Sequence, residues 1–203
     1  MPAPTGPAQP APRAPAAVRR VLTALVCAGV LAPATAKEAA QAADDAGYRT
    51  RLAPDIASAH APGVFDACGI RFALAPEQVP EAQGEDFILF NQIDDGEAGA
   101  LVTCLAEAPP DPEAALRAYS RPLAGDGAVR PVVLDANGRR YTGVQRSETQ
   151  SGGRTYGIEA WYLPSSEGGA MLMLFATQGP AHVAAREAFR ARLQASLVTD
   201  VVP

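Results

Sequence analysis

Histidine is nearly missing from this chain: His60 and His182 are the whole supply in 203 residues. Neither has a second histidine or cysteine three or four positions on, which excludes a helical zinc pair. Three cysteines without a Cys-x-x-Cys spacing argue against a redox-active dithiol. There is no Gly-x-Ser-x-Gly elbow and no nucleotide loop. The adjacent acids Glu85-Asp86 and Asp94-Asp95 point to opposite faces if they lie on strands, so neither pair is a carboxylate dyad. Asp94-Asp95-Gly96-Glu97 offers several oxygens but not the spacing of a calcium loop, and reads as a polar turn. The residues thus nominate no catalytic group, no metal site and no cofactor.

Long apolar runs are also scarce. The first, Val21 to Pro33, follows Arg19-Arg20 and precedes Ala34-Thr35-Ala36, the three parts of an export signal with cleavage expected between Ala36 and Lys37. It is shorter than the roughly 20 residues that span a bilayer. Two variants of this leader stay open: lipidation at Cys27, and twin-arginine export through Arg19-Arg20. Residues 37–63 form an N-terminal arm or linker, a short Ala-rich helix or an extended stretch, and residues 64–203 a single domain. Seventeen basic residues less the three in the leader leave fourteen against twenty-two acids, a net charge of −8 on the exported chain. An acidic surface repels nucleic acid and anionic lipid alike. Oligomeric state is not legible.

Cys68 and Cys104 remain after cleavage, an even pair in an oxidising compartment, expected as a disulfide with two buried thiols as the alternative. The loop it closes corresponds to about 4 kcal/mol in the chain-entropy model.

Period-two patterning from Cys68 to Leu74 predicts a strand with Cys68, Ile70, Phe72 and Leu74 on one face. Asp86–Asn91 and Ala100–Ala106 predict a hairpin. Asp111-Pro112-Glu113 opens a short helix to about Arg121, with Asp111 as cap and Leu116, Tyr119 and Leu123 facing inward. Val132 to Thr177 reads as a meander. Asn137-Gly138 sets Asp135 opposite Arg140, Leu134 opposite Tyr141 and Val133 opposite Thr142. Beyond a turn at Ser151-Gly152-Gly153, the expected register sets Arg146 opposite Glu159, Val144 opposite Trp161 and Tyr162 opposite Gly143. That would place Val132, Leu134, Tyr141, Ile158, Ala160 and Tyr162 on a core face, joined by Leu172, Leu174 and Ala176. Ala170–Thr177, apolar almost throughout between Gly168-Gly169 and Gly179-Pro180, predicts a central strand. A closing helix from Ala181 to about Leu197 repeats Ala185, Phe189, Leu193 and Leu197, with Arg186, Glu187, Arg190 and Arg192 directed elsewhere.

This element order, the Gly69-Ile70-Arg71-Phe72 start and the closing apolar strand, Gly179-Pro180 and amphipathic helix resemble the PsbP-like α/β/α superfamily, which includes small exported bacterial proteins. The resemblance covers Val64 to Val198. It implies an α+β fold, an antiparallel meander covered by helices as an α/β/α sandwich, and binding or assembly work rather than catalysis; it transfers no site residue.

The candidate binding face is Arg140, Arg146, Glu159 and Trp161, flanked by Met171, Met173 and Phe175: apolar anchors beside orienting charges. Two readings of this face stand, a surface offered to an envelope protein or small apolar ligand, and a face covered by the terminal helix or the arm with Trp161 in the core. The expected function is an exported, non-catalytic binding or assembly module. The alternative is an envelope hydrolase using scattered carboxylates.

Overall fold

The run Ala170–Thr177 is a strand in the interior of a seven-stranded antiparallel sheet, and all eight of its residues are buried. An unbroken apolar run is what a strand covered on both faces requires. The computed structural model describes residues 47–53, 63–76, 78–93, 96–124, 128–151 and 154–201, all within the unit Ala40–Pro203. The expected export signal, most of the expected arm, His60, Asp94-Asp95 and Gly152-Gly153 lie outside the described residues. Among those described, no helix is long and apolar enough to cross a membrane.

The large sheet runs in space as β3 (Glu81–Gln83), β4 (Asp86–Ile93), β5 (Gly96–Cys104), β9 (Ala170–Thr177), β8 (Arg154–Leu163), β7 (Arg139–Ser151) and β6 (Val129–Ala136). A small second sheet holds β1 (Val64–Ala67), β2 (Ile70–Ala73) and β10 (Val198–Thr199) in the order β1, β2, β10. Two helices are described, α1 (Pro112–Ala124) and α2 (Pro180–Ser196). The fold is α+β and mostly antiparallel sheet.

Several expectations are corrected. The strand expected from Cys68 to Leu74 is one arm of a hairpin, because Cys68 and Gly69 both take positive φ, 56° and 71°, and turn the chain between β1 and β2. Ile70, Phe72 and Leu74 are buried as expected, and the Phe72 ring stacks on Phe65 from β1. Cys68 and Cys104 form the expected disulfide, with Cα atoms 5.3 Å apart, and it links the β1–β2 turn of the small sheet to β5 of the large one. Helix α1 runs one turn further than expected, through Pro122. Its cap is as read: Asp111 Oδ1 accepts from the N–H groups of Glu113 and Ala114, both at 3.0 Å. Residues 49–51 are extended, with Thr50 bridging Leu105 and Arg51 N–H donating to the Cys104 carbonyl at 3.0 Å.

The Asn137-Gly138 hairpin has the register read from its turn: Asp135 opposite Arg140, Leu134 opposite Tyr141, Val133 opposite Thr142. The next hairpin does not. Gly143 faces Trp161, Val144 faces Ala160, Gln145 faces Glu159 and Arg146 faces Ile158, one residue from expectation. The cause is a bulge between Ser147 and Thr149. On its turn side the pairs Thr149–Tyr156 and Ser151–Arg154 follow the expected count, and the extra residue displaces every pair beyond it. A one-residue slip moves side chains to the other face. Ile158, Ala160 and Tyr162 therefore lie with Met171, Met173 and Phe175, while Leu172 and Leu174 pair with Trp161 and Glu159.

Candidate functional site

The seven residues of the expected binding face are divided by this register. Glu159 and Trp161 lie on the face that α2 covers. Trp161 is fully buried, over Gly143 and among Leu134, Leu172, Phe189 and Leu193. Gly143 is required there, since a Cβ would run into the Ala160 carbonyl and the Trp161 ring. Arg190, expected to point away from the sheet, reaches across the seam. Its Nη1 lies 3.4 Å from Glu159 Oε1, its Nη2 donates to the Val133 carbonyl at 2.9 Å, and its guanidinium stands 6.0 Å from the Trp161 ring. Burial pushes the Glu159 carboxyl above its ordinary range, an effect Arg190 and Arg186 oppose. Arg186 is also turned inward, over Gly157.

The other face carries Arg140, Arg146, Met171, Met173 and Phe175. Arg140 is exposed and bonded to Asp135 at 3.0 Å. Arg146 is buried under α1, where Nε donates to Ser120 Oγ at 3.0 Å and Nη2 to the Arg117 carbonyl at 3.0 Å. Met171, Met173 and Phe175 are buried. Of the seven, Arg140 alone is exposed; Trp161 is a core residue under the terminal helix, while Arg146 lies under α1 on the opposite face, so the seven form no common surface.

Helix α1 leaves part of this face open. Between its first two turns and strands β6 and β7 is a cleft of about 420 Å³. Its walls are Leu116, Val129, Pro131 and Val144, and Thr142 adds a hydroxyl. Asp111, Glu113 and Arg117 form a charged rim, in which Arg117 Nη2 donates to Glu113 Oε1 at 2.6 Å. The cleft is concave, with a mostly apolar floor and a few polar groups at its edge. Asp111, Glu113 and Leu116 were legible only as a helix start with an inward face; that the same turns overhang a sheet edge depends on β6 pairing outside β7.

Two further polar groups were not anticipated. Thr103 Oγ1 donates to Asp86 Oδ1 and lies 2.9 Å from Tyr119 Oη. A threonine has one proton to give, so Tyr119 donates to Thr103, and a relay runs from phenol to carboxylate. Desolvation raises the Asp86 pKa, Thr103 partly offsets it, and burial lifts Tyr119 well above the usual phenol value. At the other end of the sheet, buried Glu97 accepts from Arg154 Nη1 at 2.8 Å and from Tyr156 Oη at 3.0 Å, and the Tyr156 phenol is pushed up to about 12, first by burial and then by the Glu97 charge. Among the described residues, no group of three His, Cys, Asp or Glu is placed to hold a metal ion.

Comparison with profiles of known protein families and with characterised proteins returns no match to this chain.

Proposed function

We propose that the protein is an exported, non-catalytic binding or assembly module of the cell envelope, and that it takes a small apolar ligand in the cleft beside α1. The observation that carries this is the cleft itself, about 420 Å³ with an apolar floor and polar rim. The disulfide supports an oxidising location, periplasmic or secreted. In this reading the two helices cover opposite faces of the large sheet as an α/β/α sandwich of the PsbP-like kind. Tyr119 of α1 reaches Thr103, Phe189 and Leu193 of α2 pack with Trp161 and Leu172, and register parity puts Thr103 and Trp161 on opposite sides. A protein partner adding a strand at β6 is less well served, since Pro131 has no N–H and Arg190 already holds the Val133 carbonyl.

The test is an apolar fragment screen followed by NMR, with Thr142→Trp filling the cleft from its exposed wall. Ligands that shift the amides of Leu116 and Val144 and are lost in Thr142→Trp support the reading. An apolar set with no such ligand, or with ligands indifferent to the substitution, overturns it. One observation favours the hydrolase alternative: the Asp86 carboxyl, raised above its ordinary range by burial and standing at the end of a hydroxyl relay. Turnover of an envelope substrate that disappears in Asp86→Asn would carry that alternative instead.

A further inference from the structure

The charges around the cleft narrow its ligand. Its lining holds two carboxylates, Asp111 and Glu113, and one guanidinium, Arg117, which is already bound by Glu113. Asp111 uses Oδ1 for the helix cap and leaves Oδ2 without a bond. The neighbouring cations are committed elsewhere. Arg146 is turned into the α1 backbone, Arg140 is held by Asp135, and Arg139 donates to Thr199 Oγ1 and the Val201 carbonyl. Arg130 belongs by register parity with Val132 and Leu134, on the other side of the sheet. The rim thus carries one net negative charge over an apolar floor, on a chain that is itself acidic.

We infer that the cleft selects amphipathic cations: an amine-bearing molecule whose apolar body lies on Leu116, Val129 and Val144 and whose ammonium meets the Asp111 carboxylate, beside Glu113, which is held by Arg117. This rests on the cleft being the ligand site and adds the sign of the ligand's charge. An anionic analogue would meet the same carboxylates with no free cation to answer them, and a neutral one would lose the charge pairing while keeping the floor.

Phenylbutylamine, phenylbutanol and phenylbutyrate share one apolar body and differ in charge, so they separate the two ideas. Each is titrated into the full chain at low ionic strength, following the amides of Leu116, Thr142 and Val144. The amine is expected to bind about fivefold tighter than the alcohol, the factor that one exposed charge contact supplies, and the carboxylate weakest. Asp111→Asn keeps a cap of equal quality and removes the charge, so it is expected to erase most of that preference with α1 intact. Equal binding of all three, tighter binding of phenylbutyrate, or an amine preference untouched by Asp111→Asn overturns the cation assignment and leaves the cleft standing. Absence of any shift at these amides with all three overturns both.

Discussion

Gly143 owes its importance to what stands over it. Gly143→Ala puts a methyl against the Ala160 carbonyl and the Trp161 ring and is expected to cost about 1–3 kcal/mol, seen as a lower urea midpoint. Adding Trp161→Leu is not expected to rescue it, because the carbonyl is backbone and stays; full rescue would show the ring to be the only obstacle. Trp161 is the single tryptophan and has no exposed surface, so folded-state fluorescence should resist acrylamide until the denaturation transition. Quenching as efficient as that of free tryptophan before the transition would contradict its place under α2. Asp86 makes a prediction of unusual sign. Its pKa is higher folded than unfolded, so what the acid contributes is fully present below the ordinary carboxyl range and is lost as pH rises through the raised value. Asp86→Asn should therefore flatten the loss of melting temperature as pH rises above the ordinary carboxyl range. An unchanged profile would place the pH dependence in other groups, with buried Glu159, shifted in the same direction, the first to examine.

At the scale of elements, the bulge in β7 decided which residues share a surface. Asn137-Gly138 announces its turn through residues that accept positive φ, and Asn137 and Gly138 take 48° and 74°. The strands it joins were readable pair by pair for that reason. Nothing between Gln145 and Gln150 announces a bulge: there is no glycine, no proline and no break in polarity. Counting from the following turn therefore carried the register past the one place where it changes, and joined Trp161 to the methionines it faces away from. The inward turn of Arg190 is not legible in the helix pattern, because arginine reads as a solvent-facing residue unless a buried partner such as Glu159 is known to lie beneath it. By contrast, Ala170–Thr177 and the Phe189, Leu193, Leu197 repeat were legible, because burial of a whole strand or one helix stripe is written directly in residue type. Deleting Glu148 makes the ladder regular without altering the pairs on either side, and should change stability by less than about 1 kcal/mol. Deleting Gln145, which is paired with Glu159, should unfold the domain, with loss of the near-ultraviolet circular dichroism of Trp161.

At the scale of the whole molecule, the disulfide is the covalent link between the two sheets, and its reduction should cost about 2–5 kcal/mol in chemical denaturation with and without a thiol reductant. An identical midpoint under both conditions would mean that the aromatic packing of Phe65, Phe72 and Phe87 holds the small sheet unaided. That sheet also closes the molecule from its far end. β2 takes its second neighbour from Val198–Thr199, the Ala73 N–H donates to Ser196 Oγ across 123 residues of chain, and Asn137 Nδ2 holds the Leu197 carbonyl at 2.6 Å. A chain emerging amino end first has both cysteines out long before the strand that seals them arrives. The small sheet thus lacks its second neighbour until residues 196–199 have emerged, and completion of the fold waits for them.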